Sequence, residues 1–587
     1  MKAKLTAACL TAAVVLLAAT LQQARASKWQ NPGTGNWSID ANWDPGEPGS
    51  GDDAYINNGG TAQITAPNDE VCDHLRLGVS SGDSGTVDMT GGKLSVSDWL
   101  YVGWWGDGTL NITGGHAVSN DAVFIGMQPG STGAVTVNGA ASTWTNSDDL
   151  YVGDADGSLD ITGDAEVSVA GDTWVSRYSG SSGKIHFDTA RLTTGGLLCA
   201  ADDLAGTGMI HTNGLVSDVH LTFDAFHGLK QTITIDKNPG QNITVGVDVN
   251  GSGVMGAGYA GDGTMTISDG RVVQSTRGYI GYKSGSTGAV AVEGPGSSWT
   301  NGGYLYVGRS GAGTLDIRAG GTVSSDWCYV GSKSGSSGAV TVDGIGSTWE
   351  CGPLVVSSYS SGTLTITAGG AVSSSTAYIG YNSASTGVVT VDGSGSTWTN
   401  GRDLNVGREG TGTLAITGGG AVSNESGFIG RFADSTGAVT VDGTDSTWTN
   451  SGNLYVGAEG AGTLAITDGG LVSVADILII DEDGDGDSFI NMVTGGMLAL
   501  FGDADDSIGE FLGLVNGTDV IQYWDGKGWD DITNADIGVD YDLSLGTGGL
   551  DGYTVLRVTA VPEPATLALL AAGGLGIALR RRHGKAA

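Results

Sequence analysis

The sequence predicts an all-β protein, a parallel β-helix (β-solenoid) of about 17 turns with a β cap at each end. Three observations predict this fold class: a repeat of roughly 50 residues, the division of each repeat into two similar halves, and the alternation of apolar and polar residues within each half. The repeats contain no segment with the apolar spacing of an amphipathic helix.

The repeat is marked by regularly spaced tryptophans. Trp299, Trp349, Trp398 and Trp448 follow one another at intervals of 50, 49 and 50 residues. A fixed period of this length is typical of solenoids, because each unit buries its apolar face only by stacking on its neighbours. We therefore expect successive repeats to pack on one another as turns of a coil.

Each repeat contains two similar halves, LxVGxxGxGTLxITxGGxVS and xIGxxxxSTGAVTVDGxGSTWTN. Within a half, Leu414 and Ile416 alternate with Ala415 and Thr417, which is the two-residue period of a strand with one buried face. Glycine, at 104 of 587 residues, supplies the turns between such strands. Each half therefore predicts one solenoid turn built from three short strands.

Two columns of aromatic residues follow from aligning the halves. The tryptophans align with Val372 and Val422, which favours burial, but the polar neighbours Ser396 and Asn400 of Trp398 leave an outward orientation open. The second column lies between inward-facing apolar residues, and we expect it to form an exposed stripe. Its members are Tyr279, Tyr306, Tyr329, Tyr378, Phe428 and Tyr455. Our hypothesis is that the tryptophans are structural and that any glycan contact is made by the stripe.

Residues 1–26 have the composition of a secretory signal peptide. A basic start precedes an apolar run, and Ala24 and Ala26 form a small-x-small cleavage site. We expect export from the cytoplasm, which excludes cytosolic functions.

Shifts in composition divide the rest of the chain. A segment rich in tryptophan and proline predicts an N-terminal cap, and a later segment that leaves the repeat predicts a C-terminal cap. The predicted divisions are 27–74 for the N-terminal cap, 75–492 for the solenoid with degenerate repeats at 174–250, 493–560 for the C-terminal cap and 561–587 for a tail.

Charge and cysteine content limit the partners and cross-links. The net charge of −37 excludes nucleic acid as a partner, because phosphate would be repelled. Cys328 and Cys351 lie 23 residues apart, close to one turn, so a bridge between adjacent turns is open. The repeat alignment offsets the two cysteines by roughly three residues, which argues against that bridge.

An acidic segment near the end of the repeats is a candidate metal site. Asp481, Asp483, Asp485 and Asp487 match the first half of an EF-type calcium loop, and calcium is the candidate cofactor. Met492 stands where that loop needs a bidentate carboxylate. An acidic turn in the last repeats is the alternative.

The tail carries the most specific motif in the chain. Pro562, Glu563 and Pro564 precede a short apolar segment at 567–579, which is too short for an ordinary span. Three arginines follow it: Arg580, Arg581 and Arg582. This tail resembles the PEP-CTERM sorting signal. The resemblance implies recognition through the Pro-Glu-Pro residues and the basic tail by an exosortase-type processing enzyme at the inner membrane of a diderm bacterium that makes exopolysaccharide.

The repeat resembles the one shared by PEP-CTERM proteins and autotransporter passengers, which are parallel β-helices. This resemblance covers roughly 75–480 and implies a fold and an address rather than a ligand. We expect membrane contact only through the tail, transient anchoring at the inner membrane, and a final location at the cell surface or in the extracellular (biofilm) matrix.

Together these features predict a surface- or matrix-associated structural, adhesin-like protein with exopolysaccharide as a candidate partner. We expect no enzyme, because near-identical turns do not create a single irregular catalytic site. A carbohydrate-binding protein and a polysaccharide-degrading enzyme remain alternatives. An enzyme site would lie at 174–250 or in the 481–487 loop, where the sequence departs from its repeat.

Overall fold

The computed structural model confirms the all-β prediction, with 55% strand and 3% helix arranged as a parallel β-solenoid of about 19 turns. It describes residues 25–113, 117–484, 486–517 and 520–559. The chain divides into two compact units. Unit 1 contains Met1–Asp218 and Leu229–Met255, and unit 2 contains Val219–Gly228 and Gly256–Ala587.

Parallel, in-register pairing between successive turns builds both units. In unit 2, Thr411–Thr417 pairs with Thr436–Asp442, so that Leu414 lies opposite Val439 and Ile416 opposite Val441. The turns are tight: Gly407 has φ +74°, and a Cβ there would lie 2.3 Å from the Thr436 carbonyl oxygen. The close approach at Gly407 therefore favours glycine, although Ser357 takes the corresponding place after Leu354–Val356 with φ +71°.

The strands of unit 1 belong to one sheet that follows the coil. One set is Thr34–Asn36, Thr61–Ile64, Ser84–Met89, Asp107–Thr113, Thr132–Asn138, Asp156–Thr162 and Ser182–Phe187. The other set is Ala26–Trp29, Trp43–Asp44, Asp53–Ile56, Asp69–Cys72, Leu75–Leu77, Lys93–Val96, Leu100–Val102, Ala117–Asn120, Val123–Ile125, Thr143–Asn146, Leu150–Val152, Glu166–Val175, Arg191–Leu198, Leu204–Thr212, Leu215–Val216, Lys230–Ile235 and Asn242–Asp248.

The remaining strands form two sheets, most of which lie in unit 2. The first contains His220–Phe223, Asp262–Ile267, Thr287–Glu293, Ala312–Arg318, Ser337–Asp343, Ser361–Thr367, Thr386–Asp392, Thr411–Thr417, Thr436–Asp442, Ala461–Thr467, Phe489–Met492, Ile521–Trp524 and Trp529–Asp531. The second contains Met255–Ala257, Val272–Ser275, Gly278–Ile280, Ser298–Val307, Thr322–Val330, Thr348–Val356, Ala371–Ile379, Thr397–Asn400, Leu404–Val406, Ala421–Asn424, Gly427–Ile429, Thr447–Asn450, Leu454–Val456, Leu471–Val474, Leu478–Ile480, Met497–Phe501, Val515–Gly517, Tyr541–Leu545 and Tyr553–Val558.

Helical segments are short. The described residues contain one α-helix, Ile508–Leu512. They also contain four 3₁₀ segments: Asp40–Asn42, Ala201–Asp203, Ile532–Asn534 and Gly548–Leu550.

The solenoid begins earlier than the predicted boundary at residue 75. Asp53–Ile56 already pairs in parallel with Leu75–Leu77, because its alternating apolar residues continue the same core columns. Even before it, Ala26–Trp29 pairs in parallel with Asp53–Ile56, although this first segment also packs an aromatic cluster over the end of the coil. There Trp29, Trp37 and Trp43 are buried against one another, with ring centroids 5.0 Å and 4.8 Å apart.

The solenoid also extends beyond the predicted end at residue 492, since Phe489–Met492 pairs in parallel with Ile521–Trp524. Antiparallel strands, including Tyr541–Leu545 against Tyr553–Val558, then close this end as a β cap. Within 174–250 the repeat motif degrades, but parallel pairing continues, with Leu204–Thr212 against Asn242–Asp248.

The tryptophan column is buried, as its alignment with valine favoured. Trp398 and Trp448 have 0% exposure. Each lies between valines of the adjacent turns, with Trp398 paired to Val372 and Val422. The polar neighbours that left the prediction open are buried as well: Asn400 is 4% exposed and Ser396 is 0% exposed.

Cys328 and Cys351 form a disulfide, with their Cα atoms 6.0 Å apart. The offset seen in the alignment is real, because Cys351 pairs with Ser325 while Cys328 pairs with Leu354. The two consecutive residues after Ser325 are both exposed, which breaks the strand alternation and marks a corner. Inward side chains on either side of that corner converge, so the bridge forms despite the offset.

Candidate functional site

The aromatic stripe of unit 2 points away from the core, but it is less exposed than expected. Tyr279, Tyr306 and Tyr329 stack with ring centroids 5.6 Å and 5.2 Å apart. Tyr279 is only 6% exposed, and Tyr378, Phe428 and the other members are half-buried. Where rings occupy successive turns, parallel in-register strands place them against one another, and this stacking covers the ring faces. Tyr378 instead lies between Val355 and Asn405.

Arginines of the same or the adjacent turn cover rings of unit 2. The guanidinium of Arg431 lies 4.2 Å from the Phe428 ring centroid, and that of Arg309 lies 4.2 Å from the Tyr282 centroid. Such cation–π contacts stabilise the stacked rings. They also remove these rings from solvent, so they are poor candidates for contact with a ligand.

Two neighbouring rings outside the predicted stripe are exposed. Tyr304 is 41% exposed and Trp327 is 40% exposed, and their centroids lie 6.2 Å apart. Each stacks on a stripe residue two positions later, Tyr304 on Tyr306 and Trp327 on Tyr329. We refer to Tyr304, Tyr306, Trp327 and Tyr329 as the aromatic platform. The two-residue period of a strand could have found the first pair, because Tyr304 and Tyr306 fall on the same face.

The disulfide anchors the platform from below. Cys328 lies between Trp327 and Tyr329 in the chain and points into the core, where it bonds to Cys351 on the following turn. The strand that presents two of the four rings is therefore covalently fixed to its neighbour. A fixed surface loses little conformational entropy when it binds a ligand.

The phenols of Tyr306 and Tyr329 stay protonated at physiological pH. Burial, together with the neighbouring tyrosines, raises the pKa of Tyr306 to about 12. Burial also raises the pKa of Tyr329. A neutral phenol offers an apolar ring face and a hydroxyl that both donates and accepts hydrogen bonds. The exposed carboxylate of Asp326, next to Trp327, adds a further acceptor.

Unit 1 carries a comparable stack of rings. The centroids of Tyr101 and Phe124 are 5.3 Å apart, and those of Phe124 and Tyr151 are 4.7 Å apart. Of this stack and its neighbour Trp99, only Trp99 is strongly exposed, at 44%, while Tyr101 is 5% exposed. This stack therefore offers a single open ring rather than an extended surface.

A shallow groove of about 570 Å³ lies at one edge of unit 1, where Asp154, Asp156, Arg177 and Tyr178 line it. The Asp154 carboxylate is paired with the Arg177 guanidinium. Burial raises the pKa of Asp154, although the arginine opposes that shift. Because Arg177 also lies 4.2 Å from the Tyr151 ring centroid, this ion pair serves to hold the groove wall together.

The predicted calcium residues are only partly brought together. Asp481 is 1% exposed, and its two carboxylate oxygens each accept the Gly486 backbone N–H at 3.1 Å. Asp487 accepts the Ser488 hydroxyl at 2.9 Å, whereas Asp483 is exposed. Asp485 lies outside the described residues. The described carboxylates of this loop do not form a group with ligand atoms within 4.8 Å of one another, and calcium binding here stays a prediction.

The predicted leader and sorting residues lie largely outside the described residues. Ala24, Pro562, Glu563, Pro564 and the arginines at 580–582 all fall there, as does the apolar segment 567–579. Ala26 is described and opens the strand Ala26–Trp29. Within the described residues, no helix has the length and apolar character needed to cross a membrane.

Outside the C-terminal tail, the chain has little similarity to known proteins that bears on its function. No curated protein matches the chain significantly. One similar solved structure is the crystal structure of a TibC-catalysed, hyper-glycosylated TibA55-350 fragment, at 11% identity, covering 84% of this chain and 97% of that chain with a TM-score of 0.19. At that TM-score the similarity carries no information about the function of this chain.

Residues 560–582 match the PEP-CTERM protein-sorting motif. The match contains Pro562, Glu563 and Pro564 and extends through the three arginines, so the residues singled out in the sequence are those of the motif. The chain carries a PEP-CTERM sorting motif at its C-terminus, which implies export, sorting to the cell envelope and processing by an exosortase.

Proposed function

We propose that this is a non-catalytic structural and adhesive protein of the cell surface or extracellular matrix, and that its aromatic platform binds polysaccharide. The observation that carries the proposal is the exposure of Tyr304 and Trp327, which lie side by side on adjacent paired strands. The strand that carries Trp327 is also fixed by the disulfide. Flat rings with polar edges suit the apolar faces and hydroxyl edges of sugars. Exopolysaccharide is the proposed partner, because a protein sorted to the cell envelope would encounter it there.

The recurrent acidic residues support the non-catalytic part of the proposal. Asp392 accepts the Thr417 hydroxyl at 2.6 Å, and Asp343 accepts the Thr367 hydroxyl at 2.7 Å. These carboxylates form a ladder of hydrogen bonds between successive turns. A carboxylate that is repeated and engaged in this way contributes to stacking, whereas a catalytic acid needs an irregular environment that shifts its pKa.

One experiment tests this proposal against two alternatives, a dedicated carbohydrate-binding protein and a polysaccharide-degrading enzyme. The full chain is incubated with insoluble cellulose, chitin and xylan and with exopolysaccharide from the producing organism, and both bound protein and released reducing ends are measured. We expect retention on at least one polymer without release of reducing ends. Release that depends on the protein would overturn the non-catalytic proposal.

The platform is tested with the double variant Tyr304→Ala and Trp327→Ala. We expect at least a tenfold loss of binding, because each ring supplies stacking area. Tyr359→Ala is the matched control, since Tyr359 is also an exposed tyrosine of unit 2, at 52%, and lies outside the platform. Unchanged binding by the double variant, or an equal loss with the control, would refute the platform as the contact surface.

A further inference from the structure

Three metal-ligating side chains converge in unit 1, away from the aromatic platform. His74 Nδ1 lies 3.7 Å from Asp53 Oδ1 and 3.5 Å from Asp73 Oδ2, and one ligand atom from each residue lies within 4.8 Å of the others. All three residues are half-buried. These three residues do not form a recognisable metal-binding motif in the sequence, because Asp53 is separated by a whole turn from the Asp73–His74 pair.

Backbone hydrogen bonds fix this arrangement. The Ala54 N–H donates to the His74 carbonyl at 2.8 Å, and the Asp73 N–H donates to the Asp52 carbonyl at 2.7 Å. The two chain segments that carry the three side chains are therefore held in register by the solenoid itself. A ligand set on regular backbone is better defined than one on a free loop.

The nitrogen at the centre of the group lacks a hydrogen bond. His74 Nδ1 is buried and has no hydrogen-bond partner, and its distances to Asp53 and Asp73 are too long for one. A buried polar atom without a partner costs free energy, and native proteins seldom leave one so. A cation between the imidazole and the two carboxylates would satisfy all three groups.

The residues that contact Asp53 and His74 are placed as those around metal ligands usually are. Asp53 Oδ2 is taken by Arg76 at 2.6 Å and by the Tyr55 hydroxyl at 3.0 Å, which leaves Oδ1 directed at His74. The other imidazole nitrogen, Nε2, faces Asp98 Oδ2 at 3.7 Å. A carboxylate behind a histidine, on the nitrogen opposite the metal, is the usual way in which proteins orient that ligand.

We propose that Asp53, Asp73 and His74 bind a divalent transition-metal ion such as Zn²⁺, and that Asp98 positions His74. Bonds of about 2.1 Å to one tetrahedral ion place ligand atoms roughly 3.4 Å apart, close to both imidazole–carboxylate distances. The carboxylates of Asp53, Asp73 and Asp98 and the guanidinium of Arg76 surround the imidazole of His74, and the excess of negative charge suits a divalent cation. An imidazole ligand favours a transition metal over calcium or magnesium.

The bound ion would join two successive turns near the start of the solenoid. Asp53 belongs to one turn, and Asp73 and His74 immediately precede the strand Leu75–Leu77 that pairs with it. Because the ion binds the folded state, it would stabilise this end of unit 1 in proportion to its affinity and concentration. This role is structural and independent of polysaccharide binding.

The test uses the full chain without a polyhistidine tag, titrated with Zn²⁺ after treatment with a chelator. We expect one tightly bound ion per chain, and at least a hundredfold loss of affinity in His74→Gln and Asp73→Asn. Asp98→Asn should weaken binding by roughly tenfold to a hundredfold, as outer-shell changes do. His227→Gln is the matched control, because His227 also pairs with a carboxylate, Asp224, at 2.9 Å but belongs to no group of three metal-ligating side chains among the described residues.

Co²⁺ substitution supplies a readout that does not need the variants to fold. Absorption bands of a nitrogen-ligated Co²⁺ ion that disappear on competition with Zn²⁺ would support the site. An all-oxygen Co²⁺ spectrum, weak binding without saturation, or unchanged affinity in a folded His74→Gln protein would each overturn the proposal.

Discussion

Trp448 donates its indole N–H to Asn424 Oδ1 at 2.7 Å within the core of unit 2. Asn424 in turn donates to Asn450 Oδ1 at 2.7 Å. Two other turns repeat this arrangement with serine: Trp398 donates to Ser374 Oγ at 3.3 Å, and Trp299 donates to Ser275 Oγ at 3.1 Å. The Trp and Asn of the TWTN sequence are therefore both buried. The tryptophan fills the core, and a polar side chain of the adjacent turn accepts its indole N–H.

Removing one of these tryptophans tests the core. Trp398→Ala should lower the free energy of unfolding by about 3–5 kcal/mol, because it leaves a cavity in the core. Urea-induced unfolding followed by circular dichroism measures the change. Trp327→Ala, at an exposed ring, should change it by less than about 1 kcal/mol. Equal effects of the two substitutions would contradict the assignment of inward and outward columns.

The disulfide predicts a thiol count. Cys72 and Cys199 are buried thiols, whereas Cys328 and Cys351 are bridged. With the predicted leader removed, the denatured protein should show two thiols before reduction and four after it. In the native protein we expect slow labelling, since burial raises the pKa of the Cys72 thiol and the thiolate is the reactive form. Four thiols without reductant would contradict the bridge.

These features show which parts of the structure the sequence could predict. The two-residue and 50-residue periods predicted the strands, their register and the parallel stack, because apolar columns repeat in every turn. The orientation of Trp398 stayed open because Ser396 and Asn400 are residue types that usually lie at the surface. Their burial is explained by hydrogen bonds: Asn400 accepts from Ser374, and the Ser396 hydroxyl bonds to backbone groups of its own and the preceding turn.

The site was less predictable for a related reason. Tyr304 and Trp327 occur where the repeat is locally irregular, and the register between their two strands shifts just before Tyr304. Repeat alignment emphasises shared positions and therefore passes over such residues. The group around His74 depends on contacts between turns, which a sequence without an alignment of relatives does not reveal.

A buried carboxyl near the N-terminal end of unit 1 predicts a pH dependence. Burial, with a hydrogen bond and repulsion from Glu47, raises the pKa of Glu70 from 4.5 to about 8. The folded state therefore binds a proton more tightly than the unfolded state, so stability should fall as the pH rises from about 4.5 to about 8. Thermal unfolding measured across this range follows the effect.

Glu70→Gln separates this carboxyl from the other acidic groups of the chain. The amide cannot ionise, whereas the parent must ionise its buried carboxyl as the pH approaches 8. The variant should therefore be more stable than the parent at pH 8 by roughly 1–3 kcal/mol, the cost of leaving a buried polar group without a partner. The difference should shrink towards pH 5. Parallel pH profiles for the parent and the variant would mean that Glu70 titrates normally.

The acidic loop gives a prediction about calcium. If Asp481, Asp483, Asp485 and Asp487 bind an ion, millimolar calcium should raise the melting temperature, because the ion offsets repulsion among the carboxylates. Asp483→Ala should abolish that rise, since Asp483 is exposed and its loss does not disturb the hydrogen bonds of Asp481. An equal response of parent and variant would leave the loop as an acidic turn.

The sorting motif predicts the fate of the chain in its host. Replacing Pro562, Glu563 and Pro564 with alanine should remove the recognition element while leaving the apolar segment and Arg580–Arg582 intact. In a host with an exosortase, we expect the variant to accumulate uncleaved in the inner-membrane fraction, where the parent is processed. Immunoblotting of the membrane and extracellular fractions distinguishes the two forms by size.

A second variant separates recognition from anchoring. Replacing the three arginines with glutamine removes the positive charges that hold such a segment on the cytoplasmic side, so the variant should be processed less because its tail is misplaced. Deletion of the exosortase in the host should reproduce the alanine variant with the parent chain. Unchanged processing and release in both the alanine variant and the deletion host would show that the tail acts independently of this motif.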